Sequence, residues 1–302
     1  MGWSLMGEPG SKAVEYALLG ILALLWGSSY LFIKVAVAEI PPVTLIAMRV
    51  DGAALFLLVV LLVRGRSLPT DPGTWGMLGI QSFINSIGAW TILAWGQQFV
   101  GAGLASVLNS TSPIFVFLFT ALITRHEALN GRKLLGAILG LAGVVLIVGL
   151  DSLSGLGQSV AGQLACLIGA MLYAGSAIYG RRFASLGALE TALGTMLWAA
   201  AVLTPLAFVV ESPLTLRPGM AALGATLALS VLCTGTALLI YFRLVHTLGS
   251  LGVASQSYLR AGVGVILGVV LLGEVPTLPV LIGLFAAIFG VALINFPTRR
   301  QA

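Results

Sequence analysis

The residues of this chain that could do chemistry are polar side chains set inside apolar runs. Residues 24–35 read LLWGSSYLFIKV and residues 171–182 read MLYAGSAIYGRR. At helical spacing Trp26, Ser29 and Tyr30 share one face, and Tyr173, Ser176 and Gly180 share another. Further faces hold Gln81, Asn85 and Gly88, then Ser106, Asn109, Ser110 and Pro113, then Thr234 and Tyr241, then Ser255, Gln256, Tyr258 and Arg260. Polar groups within a bilayer are costly, so such faces mark either contacts between helices or a water-filled route. Serine and threonine fit the first role, bonding a carbonyl of their own helix or a neighbour. That reading suits Ser28, Ser29, Ser176 and Thr234 best. An amide is harder to hide, since it brings two donors and an acceptor. Asn85, Asn109 and Gln256 are therefore expected to face a route. Trp26, Tyr30, Tyr173, Tyr179 and Tyr258 would give that route an aromatic lining suited to an apolar or aromatic ligand.

Charges inside the apolar runs are few. Asp51 stands near the middle of its run, where an ionised carboxylate costs about 2.5–3.5 kcal/mol. It is either a proton-titrating group that couples transport or a counter-ion to a base. Arg49 is two residues away and so not on its helix face. Arg49 is expected to snorkel or pair structurally, whereas Arg260 could pair with Asp51 or hold a substrate carboxylate. Pro113 removes one backbone donor and interrupts its helix, serving as a hinge or as a simple bend.

Enzymatic signatures are missing. His126-Glu127 has no second histidine four residues on, so the helical zinc motif is absent. Gly101-Ala102-Gly103 lacks the third glycine and the preceding strand of a dinucleotide site. There is no G-x-S-x-G and no P-loop. Cys166 and Cys233 lie in separate apolar runs and form neither a disulfide framework nor a metal motif. No cofactor or metal is expected, and the net charge of +5 reflects basic loops, with no nucleic-acid footprint.

Positioning these residues requires membrane-spanning helices. Of 302 residues, 59% are hydrophobic and only 8% charged, with mean hydropathy +1.07. A globular chain carries about a quarter charged residues. The apolar runs are about 20 residues long and do not alternate, which selects helices over barrel strands. Proline, glycine and charge clusters bound ten segments: 14–37, 42–63, 74–96, 101–123, 132–150, 161–180, 189–210, 219–244, 252–273 and 278–297. The first is read as a permanent span, with no A-x-A cleavage site after it. With the N-terminus inside, eleven Lys and Arg fall in internal segments, against only Lys34 and Arg217 outside. The excess of basic residues on one side places both termini in the cytoplasm.

The two opening stretches are also copies. A shift of 147 residues lays Trp26 on Tyr173, Ser29 on Ser176 and Lys34 on Arg181. It continues with Glu127 on Glu274, Gly136 on Gly283, Gly143 on Gly290 and Ile147 on Ile294, slipping by about two residues between. Each half, 1–150 and 151–302, has five spans, so the second half enters the membrane from the opposite side. Inverted repeats of this kind are a transporter architecture, with the site near the midplane between the halves. The fold class expected is all-α, ten transmembrane helices in two inverted five-helix repeats.

The chain resembles the EamA-type branch of the drug/metabolite transporter superfamily. The resemblance is carried by WGSSYLFIK (26–34), AMRVDGAALF (47–56), LNSTSPIFVFLFTALITRHEALNGRKLLGAILGLAGVVLIV (108–148) and VVLLGEVPTLPVLIGLFAAIFGVALI (269–294). Within that family it is similar to bacterial inner-membrane exporters of aromatic amino acids. Glu127 and Glu274 look like the family's paired signature acids, fixing helix ends, and Arg49 falls on a family position. The second copy departs from the pattern: where a proline usually precedes LLGE, it reads Arg260-Ala261-Gly262. The resemblance implies a secondary or facilitative exporter of amino acids and related small metabolites, working by alternating access. The alternative is a proton-coupled exporter of cationic drugs, which needs a titrating membrane carboxylate such as Asp51. The partners expected are a small-molecule substrate and lipid, and a monomer would suffice.

Overall fold

The computed structural model describes residues 12–96, 99, 107–124, 130–149, 153, 159–263 and 277–296. Among these residues every regular element is helical. Ten helical passages follow one another. α1 is Lys12–Val37 and α2 is Pro42–Val63. α3 runs as Pro72–Ser82, widens into a π-helical stretch at Phe83–Ile87 and resumes as Gly88–Gly96. α4 is Val107–Ile123 and α5 is Gly131–Val148. α6 is Val160–Phe183 and α7 is Ala188–Val210. α8 is Met220–Thr247, with a second π-helical stretch at Val231–Thr236. α9 begins at Gly249–Ala254 and continues over 256–263, and α10 is Leu278–Asn295. Six of them, α2, α5, α6, α7, α8 and α10, are long and apolar enough to cross a membrane.

Helix starts are fixed by side chains that satisfy the free amides of the first turn. Asp71 caps α3, accepting from the Thr74 amide at 2.7 Å, and Pro72 follows it. That amide holds the exposed Asp71 carboxyl below its ordinary range. Asn130 caps α5 through the Lys133 amide at 3.0 Å. α2 opens on Pro41-Pro42 and has no cap of its own. Glu211, just after α7, reaches across to the amides of Val43 and Thr44 at 3.1 and 2.7 Å. Glu39, just after α1, takes the Gly219 amide at the start of α8 at 2.6 Å.

Successive helices alternate in direction, so one end of the bundle carries the start of α1 and the end of α10. There the Tyr16 hydroxyl donates to the Asn295 carbonyl at 3.1 Å. This is called the terminal end below, and its opposite the far end. Packing pairs the two halves: α5 lies on α10, α2 on α7, α1 on α8 and α3 on α6. Lipid tails are as apolar as leucine, so such contacts rest on close van der Waals fit. In α5 and α10 glycines supply it. A Cβ on Gly136 would stand 2.7 Å from the Gly290 carbonyl, and one on Gly143 would stand 2.5 Å from that of Gly283. Leu55, Leu62, Phe208, Val209, Phe285 and Phe289 remain exposed on the outer faces, where lipid would cover them.

Candidate functional site

The two π-helical stretches are the local structure from which the site is built. A π turn adds one residue and loosens the hydrogen-bond ladder, and such turns recur at functional sites. A glycine follows the first, Gly88 in α3, and another lies near the end of the second, Gly235 in α8, at positions 147 residues apart. A Cβ on Gly88 would stand 2.9 Å from the Phe83 carbonyl, and one on Gly235 3.4 Å from that of Ser230. In α8 the loosened turn turns acceptors toward the bundle centre. The Cys233 carbonyl accepts from Trp26 Nε1 at 3.0 Å and from Arg49 Nη2 at 3.4 Å. Thr234 Oγ1 accepts from Arg49 Nε at 2.6 Å. In α3 the matching turn carries Asn85, which is buried.

Between the repeats lies a cavity of about 260 Å³. Trp26 and Ser29 of α1, Asn85 of α3, Asn109 of α4, Tyr173 of α6, Tyr241 of α8, and Gln256 and Arg260 of α9 stand on its wall. It extends to Val37 and Pro42, where α1 turns into α2 at the far end. The Trp26 and Tyr241 rings are 5.5 Å apart. Arg260 sits 5.8 Å from the Trp26 ring centre, and Arg49 4.4 Å from that of Trp90. Cation–π contacts of this kind tether a guanidinium without neutralising it. Asn85 Nδ2, Asn109 Oδ1 and Gln256 Oε1 are buried and have no hydrogen-bond partner. Buried polar atoms normally find partners, and these three belong to side chains that stand on the wall. No Asp or Glu stands among the described lining residues.

Other residues singled out in the sequence lie elsewhere. Gln81 and Ser176 are sealed beneath the cavity on its terminal side. Gln81 Nε2 donates to Ser176 Oγ at 2.9 Å, and that oxygen lies 3.1 Å from the Tyr241 hydroxyl. This network is the cavity floor. Ser110 is buried off the wall, and its neighbour Ser112 takes the wall position. Tyr179 stacks under Arg182 at 4.9 Å near the terminal end, away from the cavity. Tyr258 was expected on the wall and is instead fully buried, its ring against Gly140 and its hydroxyl on the Ala137 carbonyl at 2.8 Å. It packs α9 on α5. Asp51 points away from the cavity, accepting from Thr204 Oγ1 at 2.8 and 2.9 Å in the seam of α2 and α7. Pro113 occupies the first turn of Ser112–Phe119, where a missing amide costs nothing. The interruption of α4 precedes it, at Ser110 and Thr111. The Tyr30 side chain, Glu127 and Glu274 lie outside the described residues.

Arg49, expected to snorkel or pair structurally, is held by α8 and also lines the cavity. The π turns were not singled out in the sequence. The coincidence of Gly88 and Gly235 under the repeat shift was the signal available for the turns.

The description of the EamA-like transporter family matches residues 14–149 and again residues 160–296. The chain belongs to the EamA family. Its two matched copies are the two five-helix repeats of the fold. The EamA relatives include "Uncharacterized inner membrane transporter YedA" of Escherichia coli (strain K12), 27% identical over 93% of this chain and 90% of that one. An "Uncharacterized transporter" of Archaeoglobus fulgidus is 30% identical over 92% of this chain and 96% of the other. "Uncharacterized transporter YoaV" of Bacillus subtilis (strain 168) is 23% identical over 94% and 98%. A crystal structure superimposes with a TM-score of 0.82 at 21% identity, covering 96% of this chain and all of the other, which supports the fold. Membership in EamA makes the chain a multi-pass membrane transporter.

Proposed function

We propose that this EamA transporter exports amino acids, aromatic or broadly neutral, and related small metabolites across the inner membrane by alternating access. The observation that carries this is the wall of the cavity. Arg49 and Arg260 offer positive charge to a carboxylate. The unpaired amide ends of Asn85, Asn109 and Gln256 suit the remaining polar groups of the ligand. Trp26, Tyr173 and Trp90 supply an aromatic surface for the side chain. Lys and Arg predominate at the terminal end, which supports a cytoplasmic placement of both termini. The cavity then reaches toward the outside, with its floor closed toward the cell interior.

In the opposite state the helices that form the floor, α3, α6 and α8, would separate on that side while the far end closes. The alternative substrate class, cationic drugs, finds no carboxylate among the described residues of the wall. The deciding experiment is uptake of labelled amino acids into liposomes carrying the purified protein, with and without a pH gradient. The expected result is saturable uptake that competes among amino acids and survives Asp51→Asn. Uptake that requires the gradient and is lost in Asp51→Asn would instead make Asp51 the coupling group. No amino-acid uptake by folded protein under either condition would sink the substrate class.

A further inference from the structure

We infer that the terminal-end gate of this transporter is the Ala237–Thr247 segment of α8, which swings away from α6 and α7 to open the cavity on that side. This rests on the reading of the cavity as the transport site. A shift of 147 residues carries α1, α2 and α3 onto α6, α7 and α8, to within a few residues at their ends. One pattern is thus folded twice, once around an open mouth and once around a closed one.

The open mouth lies at the far end, between α2 and the Gly88–Gly96 segment of α3. Pro42, Ile46 and Arg49 stand on one side of it and Trp90 on the other. The Arg49 side chain spans the gap to the Trp90 ring at 4.4 Å. The positions 147 residues on are Leu189, Leu193, Met196 and Ala237, and each is at most 2% exposed. Phe242 is fully buried, whereas its counterpart Trp95 is 46% exposed. α7 packs along Ala237–Thr247, and among the described residues α2 has no comparable packing on Gly88–Gly96.

Small residues close this second mouth. Ala237 stands where the other half has Trp90. Gly180 of α6 leaves slack, since a Cβ there would stand 3.6 Å from Gln81, Phe242 and Val245 alike. The segment also has a pivot. The π-helical stretch Val231–Thr236 ends where it begins, and helices bend at such turns. On the other side of the pivot, Met220–Ser230 stays packed on α1 and α2. When each half of an inverted repeat takes the shape of the other, the opening passes from one end to the opposite end. The floor parts with the gate, because Tyr241 rides on this segment while Gln81 and Ser176 do not.

The test uses the purified full chain with Cys166→Ala and Cys233→Ala, which removes both native thiols. Maleimide labelling is then read at one introduced cysteine at a time, Gly180→Cys beneath the floor or Ile46→Cys at the far mouth. Ala237→Trp places in the seam the residue type of the open mouth and is expected to wedge the gate. Labelling of Gly180→Cys should rise at least about tenfold, since a minor state holds about 0.1–10% of a two-state population, and labelling of Ile46→Cys should fall. Ala237→Leu is the milder wedge and should act in the same direction by a smaller factor. Unchanged labelling of both reporters in folded protein would overturn the inference. A lock gives a second test. Gly180→Cys with Val245→Cys brings two thiols within bridging reach, the Val245 side chain lying 3.6 Å from a Cβ at 180. In liposomes, oxidation should abolish amino-acid uptake and reduction should restore it. Uptake that persists through a fully formed bridge would overturn the gate and leave the amino-acid reading standing. Reciprocal labelling in a chain that takes up no amino acid would uphold the gate and sink the substrate class.

Discussion

Glu15 and Arg243 occupy the positions that Gly162 and Gly96 hold in the other repeat, each pair offset by 147 residues. Both pairs join the same two kinds of helix, α1 to α8 at the terminal end and α6 to α3 at the far end. The first joint is ionic. Arg243 Nη2 lies 2.6 Å from Glu15 Oε1, and Thr247 Oγ1 donates to Oε2 at 2.9 Å, with Glu15 only 4% exposed. The second joint is steric. A Cβ on Gly96 would stand 2.9 Å from the Gly162 carbonyl and 3.1 Å from Cys166 Sγ. The difference teaches that duplicated backbone geometry can be closed by unrelated chemistry. An ionic joint holds only while both partners are present and leaves a buried charge behind when one departs. A steric joint has no partner to lose and fails only when something is added. α8 carries both the ionic joint and, through Tyr241, the hydrogen-bonded floor of the cavity. Were the proposed cycle to open both joints, the first would lose a charge pair and the second only dispersion contacts, so the two openings are expected to have unequal barriers.

The largest effect is expected from Arg243→Met, which strands the Glu15 carboxylate and should cost about 3–5 kcal/mol of stability, read as a lowered unfolding midpoint in detergent. Transplanting the other joint sharpens the comparison. The double variant Glu15→Gly with Arg243→Gly removes both charges and should recover at least about 1 kcal/mol relative to Arg243→Met, even after the helix cost of two glycines. Equal instability of the two variants would mean that the charges are not what holds this joint. Next comes Gly96→Val, which drives a side chain against a backbone carbonyl that cannot yield. A loss of about 1–3 kcal/mol is expected in the same melt. Tyr241→Phe removes one floor hydrogen bond and should cost about 0.6 kcal/mol while leaving the ring contact with Trp26 in place.

Helix boundaries were readable because their causes are local. The expected span 42–63 coincides with Pro42–Val63, since Pro41-Pro42 opens it and Arg64 closes it. Span 189–210 differs from Ala188–Val210 by one residue. Faces were readable while the helix stayed regular, as with Trp26 and Ser29. They blurred where it did not. Gln81 and Asn85 are four residues apart, which a regular α-helix would place on one face, yet the π turn between them leaves one in the floor and the other in the wall. Gln256 and Tyr258 were grouped together although two residues apart, a spacing that turns them to opposite sides of α9. The role of Arg49 depends on a carbonyl 184 residues away, and that of Glu15 on a side chain 228 residues away. No periodicity within a single helix contains such information.

The bond from Arg49 to Thr234 also has a consequence for synthesis. Its two ends are 185 residues apart in the chain. At about 5–20 residues per second, α8 emerges roughly 10–40 s after α2. Throughout that interval a guanidinium in the second span has neither its threonine nor its carbonyl. The arrival of α8 completes the seating of a helix made long before it.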